Sequence, residues 1–190
     1  LQMAINCATS NLKKLYGDYC SPATVYGQIE QILIAKPGTT FANFAALAAA
    51  ISNTADENTD PVRYLHVISS MPKPSRTEST ISLGRKVYSE PKYSVPLKCY
   101  DVAEKTVTIG GSPVVVSNLE FARDLQSNPG ASYLVWFVTK DKLIGGLDGI
   151  DATISMDLVI PESREEFITL EGTVDFTGIL PDFDERPAGI

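Results

Sequence analysis

The residue types that do chemistry are sparse in this chain, and none stands in a pattern that a reaction requires. The only histidine, His66, lies between Leu65 and Val67 in an apolar run. A nucleophilic triad needs its imidazole beside a serine or cysteine and a carboxylate. No Gly-x-Ser-x-Gly elbow is present, and Cys7, Cys20 and Cys99 lack the flanks of catalytic cysteines. His66 therefore reads as a strand residue. The three cysteines are odd in number and widely spaced, with no Cys-x-x-Cys pair, so they read as buried or free thiols and supply no metal set. Asp56, Glu57 and Asp60, then Asp148 and Asp151, then Asp182, Asp184 and Glu185 form acidic clusters, but none has calcium-loop spacing, and they read as solvated turns. Gly110-Gly111-Ser112 and Gly145-Gly146 are too short for phosphate loops. No catalytic, cofactor or metal residue is assigned, and the chain is expected not to be an enzyme.

Composition bounds the alternatives. A chain of 190 residues with 44% hydrophobic content suits one domain with a sizeable core. Sixteen basic residues against 23 acidic ones give a net charge of −7, which disfavours a surface that grips phosphate backbones. The longest apolar stretches, Phe44 to Ile51 and Tyr133 to Val138, fall far short of the roughly 20 residues of a membrane span. No basic region and apolar run of a secretory signal opens the chain, so it is expected to be cytosolic in origin or already processed.

The elements that must position any site follow from periodicity. Residues 1–27 read as an extended N-terminal arm, 28–180 as a single domain and 181–190 as an acidic, proline-bearing extension, mobile or docking. Ile29, Ile32 and Ile34 open a strand that stops at Lys36-Pro37-Gly38. A helix follows, with Thr39 or Thr40 as cap and Phe41, Phe44, Ala45, Ala48 and Ile51 at helical spacing. Tyr64 to Ile68 form a short strand. Residues 80–100 read as a long, locally basic hairpin joined near Ser89-Glu90-Pro91, whose Pro91 and Pro96 place part of it at an edge or beyond the sheet. A small hairpin surrounds Gly110-Gly111, a second helix begins at Asn118 as cap, and Tyr133 to Thr139 make a central strand. Two late segments alternate with period two. In 152–160, Ala152, Ile154, Met156, Leu158 and Ile160 oppose Thr153, Ser155 and Asp157. In 166–176, Ile168, Leu170, Gly172, Val174 and Phe176 oppose Thr169, Glu171, Thr173 and Asp175. These are strands with one buried face and one acidic, hydroxyl-rich wet face. The fold class is mainly β with one or two short helices.

This order of parts, carried by Met3-Ala4-Ile5-Asn6-Cys7, Gln28 to Phe44, Tyr133 to Gly145 and Phe167 to Phe176, resembles the tail tube proteins of tailed bacteriophages. The resemblance covers most of the chain in pattern. The 103–117 insertion and the proline-rich tail have no place on it. It implies an antiparallel β-sandwich or barrel, six copies of which form a ring around a β-lined channel, with rings stacked through arms and a long loop. The implied partners are the chain itself and other tail proteins, with DNA passing through unbound, no membrane and no cofactor. The implied location is the virion tail, after synthesis in the host bacterial cytoplasm. On this reading Thr153, Ser155, Asp157, Glu165, Thr169, Glu171, Thr173 and Asp175 face the lumen, where carboxylates repel phosphates. Arg85, Lys86, Tyr88, Lys92 and Tyr93 on the hairpin contact neighbouring subunits or rings. Related barrels serve as tail terminators, baseplate hubs and secretion tubes, and these stay open. So do a β-sandwich binding or adhesion module and a hydrolase with a carboxylate pair.

Overall fold

The computed structural model describes residues 27–52, 61–80, 86–109, 111–163, 165–179 and 183–190. Twelve strands and two helices occur among them: β1 (Gln28–Ala35), α1 (Phe44–Ala49), β2 (Val62–Ser70), β3 (Glu78–Thr80), β4 (Lys86–Tyr88), β5 (Lys92–Cys99), β6 (Lys105–Ile109), β7 (Ser112–Val116), α2 (Asn118–Ser127), β8 (Ser132–Thr139), β9 (Lys142–Ile144), β10 (Ile150–Val159), β11 (Thr169–Thr177) and β12 (Phe183–Glu185). The large sheet runs β1-β2-β5-β11-β10-β8 and returns to β1, because β1 and β8 also pair. That closes a six-stranded antiparallel barrel. β9 turns back from β8 and carries β12 on its far edge.

Closure dictates the composition of β1 and β8. Ile29, Ile32 and Ile34 join Val135 and Phe137 in the barrel interior, with Val95, Leu97, Met156, Leu170, Val174 and Phe176. Ile29 and Ile32 are three apart yet share a face because the register shifts between Ile29 and Gln31, and a bulge flips the side-chain alternation. Leu33, Ala35, Trp136 and Val138 point outward, and α1 covers them with Leu47, its one fully buried side chain. The cap of α1 is Asn43, not Thr39 or Thr40: its carboxamide oxygen accepts from the Ala46 amide at 2.9 Å, while the Thr39 hydroxyl donates to the Lys36 carbonyl in the preceding turn. In α2 the cap is Ser117, one residue before the expected Asn118. Ala122 and Leu125 of α2 enter the barrel core, and the Gln126 side chain donates to the Met156 carbonyl where β10 outruns β8.

The glycines around 145–149 are explained by Trp136. Its indole Nε1 donates to the Gly146 carbonyl at 2.9 Å, and a Cβ on Gly149, at φ +75°, would lie 2.7 Å from the ring. The turn folds over the indole, and Phe41 meets the same ring edge-on with centroids 6.0 Å apart.

Two expectations are corrected. The long hairpin does not join near 89–91: β2 and β3 form one arm, β4 and β5 the other, and they connect through 81–85, outside the described residues. Ser75 and Lys92 exchange backbone bonds of 2.8 and 2.9 Å, making the ribbon continuous with the barrel. Only β3 and β4 project, because β5 is a barrel strand between β2 and β11. Second, Leu158, Ile160 and Ile168 are exposed, since the turn between β10 and β11 extends beyond the core that would bury them. Of the two readings of the tail, mobile or docking, residues 183–190 take the second: β12 pairs with β9, and Arg186 donates to the backbone oxygens of Thr139 and Ile190.

Among the described glycines, Gly172 leaves the least room for a Cβ. A Cβ there would run into the Ser155 carbonyl and lie 2.8 Å from the Met156 Cα, backbone that cannot swing aside. Gly172→Ala should therefore force β10 and β11 apart and cost about 1–3 kcal/mol of stability. A urea unfolding midpoint equal to that of the unmodified chain would refute this.

Candidate functional site

The barrel interior is filled by side chains, so a site must lie outside it. The outer face of β5, β11 and β10 is a continuous polar wall in three registered rows. Lys98, Glu171 and Asp157 form the first, Pro96, Thr173 and Ser155 the second, and Ser94, Asp175 and Thr153 the third. Lys92 sits opposite Thr177 at the end.

An ion pair and hydrogen bonds run within and between the rows. Lys98 Nζ lies 2.7 Å from Glu171 Oε1, and the Thr169 hydroxyl donates to the same oxygen at 3.2 Å. Gln126 of α2 donates to Asp157 Oδ1 at 2.7 Å. Ser155 and Thr173 hydroxyls meet at 3.0 Å, and Thr173 donates to Asp175 Oδ2 at 2.8 Å. The hydrogen bond from Lys98 holds the Glu171 carboxyl below the ordinary carboxylate range, against a smaller opposing effect of desolvation. The same bond raises the Lys98 ammonium above its ordinary value. Lys98 also lies 5.6 Å from the centroid of the Tyr100 ring.

The expected lumen residues thus separate. Thr153, Ser155, Asp157, Glu171, Thr173 and Asp175 share the wall. Thr169 has the right parity but is buried, 3% exposed, and this corrects its placement on a wet face. It lies with Pro161, Glu165 and Phe167 in one shallow depression at the wall's end. Glu165 belongs to the turn between β10 and β11, not to a strand. The wall is also less acidic than its two late strands imply. Lys92 and Lys98 from β5 stand on it with Asp157, Glu171 and Asp175.

The expected contact residues separate too. Tyr93 is buried, 4% exposed, and stacks on Phe176 at 4.7 Å between centroids, so it cannot contact a neighbour. Lys92 is on the wall rather than on a projection. Lys86 and Tyr88 remain on the exposed ribbon, with Lys86 paired to Glu78 at 2.7 Å. Arg85 lies outside the described residues, as do Cys7, Cys20 and the cluster at Asp56, Glu57 and Asp60. His66 is exposed on β2, with Tyr64 edge-on to its ring. Cys99 is a buried free thiol whose pKa burial raises. Among the described residues no group of three or more His, Cys, Asp or Glu side chains is placed to hold a metal, and no helix is long and apolar enough to cross a membrane.

Lys98, Lys92 and Ser94 are the wall residues that sequence reasoning assigned elsewhere. Their signal was present: Tyr93, Val95, Leu97 and Cys99 alternate as regularly as β11 does, which places the even positions on the opposite face. Pro96 misled the reading. The Ser69 hydroxyl donates to the Pro96 carbonyl, and Lys92 bonds Ser75, so the even residues of β5 turn their backbone groups toward β2. The missing N–H of Pro96 faces that sparse seam, where the registered pair is Ile68 with Lys98, and not the full ladder with β11.

Comparison with protein-family models, with curated proteins and with solved structures gives no match.

The Lys98–Glu171 pair sets a pH window. With Glu171 lowered in the folded chain, its contribution is present above the ordinary carboxylate pKa and lost as pH falls through the lowered one. With Lys98 raised, its contribution is lost only as pH rises through the raised value. Lys98→Met should return the Glu171 carboxyl toward the ordinary range in a carboxyl-carbon NMR titration. A Glu171 titration that Lys98→Met leaves unmoved would show that the pair does not form in solution.

Proposed function

We propose that this chain is a structural subunit that assembles into rings, and that its β5–β11–β10 wall lines the channel of a phage tail tube. The observation that carries the reading is the wall itself. It is a broad strand surface in which hydroxyls and carboxylates bond one another across registered rows and present no enclosed cleft. Such a surface suits a polymer that slides past better than a ligand that stays.

The charge pattern agrees with that use. Lys98 is neutralised by Glu171, which leaves no cluster of free cations to exchange for the counterions of a phosphate backbone. Asp157 and Asp175 keep the balance slightly negative, so a passing duplex meets weak repulsion, not capture. A filled barrel also fits the role: the channel must then form between copies, and each copy contributes one wall.

Negative-stain microscopy with sedimentation velocity tests the reading. Closed rings, or tubes built from them, are expected as concentration rises. A chain that remains monomeric at high concentration would sink the proposal and favour a binding module. A second test addresses the wall. Asp157→Lys with Asp175→Lys should leave ring formation intact but make the assembly retain double-stranded DNA in a salt-sensitive way, and equal DNA retention by both proteins would argue against a lumenal wall.

A further inference from the structure

The strand registers sort the loops of the barrel onto two ends. Ile29, Ser70, Lys92, Thr139 and Thr177 mark one, from which the β3–β4 ribbon projects. Ala35, Val62, Cys99 and Val159 mark the other, which carries the turn between β10 and β11. Along a ten-residue strand these ends are about 30 Å apart, so they do not meet within one copy.

The two ends are complementary. Over the described part of 71–92, Lys73, Arg76, Lys86 and Lys92 outnumber Glu78 and Glu90, and beside them Tyr88 is 54% and Ile179 91% exposed. In the turn, Glu162, Glu165 and Glu166 outnumber Arg164 in sequence and are exposed, with Ile160 67% and Phe167 78% exposed. Each end thus offers a partner apolar side chains to cover beside its charges. The acidic rim of the turn repels the anionic lipid surface that exposed Phe and Ile could otherwise enter, while the basic ribbon end of another copy attracts it.

The geometry points to a second copy of this chain as the occupant: the acidic, apolar β10–β11 turn of one copy seats on the basic, apolar ribbon end of the next. The contact is heterologous, using a different surface on each side, so it repeats along an axis and gives the stack a direction. This inference rests on the assembly reading and adds the two surfaces and their polarity.

Charge reversal tests it on the full chain. Glu165→Lys with Glu166→Lys makes both ends basic, and Lys73→Glu with Arg76→Glu makes both acidic. Each variant alone should lose stacking by roughly tenfold or more in affinity. An equimolar mixture should recover it as an alternating stack, since each end then meets its opposite. Recovery in the mixture also requires both chains to be folded. A neutral variant, Glu165→Gln with Glu166→Gln, covers the case in which a reversal disturbs folding: its stacking should be weaker and less salt-sensitive than that of the unmodified chain. Variants that stack unaided, or a neutral variant with unchanged salt dependence, overturn the pairing while rings in the unmodified chain leave the assembly reading standing. Directional stacks without closed rings would support the pairing and overturn that reading. A chain monomeric at every concentration overturns both.

Discussion

The pairing of β1 with β8 is the constraint on which the rest of the molecule depends. It turns an open sheet into a barrel, and a closed barrel has an inside that must be filled and two strands that lie beneath a helix on their outer side. The consequences reach far along the chain. β1 and β8 become apolar on both faces, α1 is needed to cover Leu33 and Trp136, and the Gly145–Gly149 turn is bent over the indole that α1 leaves unsheltered. With the interior occupied, the charged and hydroxyl side chains of β5, β10 and β11 stand on the outer surface, which α1 does not cover.

That surface is organised by strand parity. In β10 and β11 every second residue is committed to the core, and the remaining positions stand opposite each other in register. β5 extends the rows with lysines, so carboxylates that look like an uninterrupted acidic face in two strands become partners of cations in three. The electrostatic character of the wall is thus a property of strand order, which no single strand contains.

Much of the fold was legible because one-sided burial writes itself as alternation. β10 and β11, the apolar run of β8, the small β6–β7 hairpin and both helices lie close to where periodicity places them, with caps displaced by one to four residues to Asn43 and Ser117. What failed was partner assignment. The alternation of β5 was visible, but Pro91 and Pro96 suggested a projection, and only the neighbour on each edge decides whether a missing N–H matters. Tyr93 moved from a proposed contact to the core for the same reason. Leu158, Ile160 and Ile168 kept a strand-like pattern past the point where the core ends, and no local signal tells where a hairpin outgrows its barrel.

Closure also joins strands far apart in the chain. Ile29 pairs with Thr139, so the second edge of the first barrel strand is covered only by a strand that follows both helices in sequence. A topology so rich in distant pairings folds slowly, and until β8 arrives the edge of β1 is an unpaired apolar strand. In that interval association through the β1 edge is least selective. Shutting the ring of strands is what removes that edge.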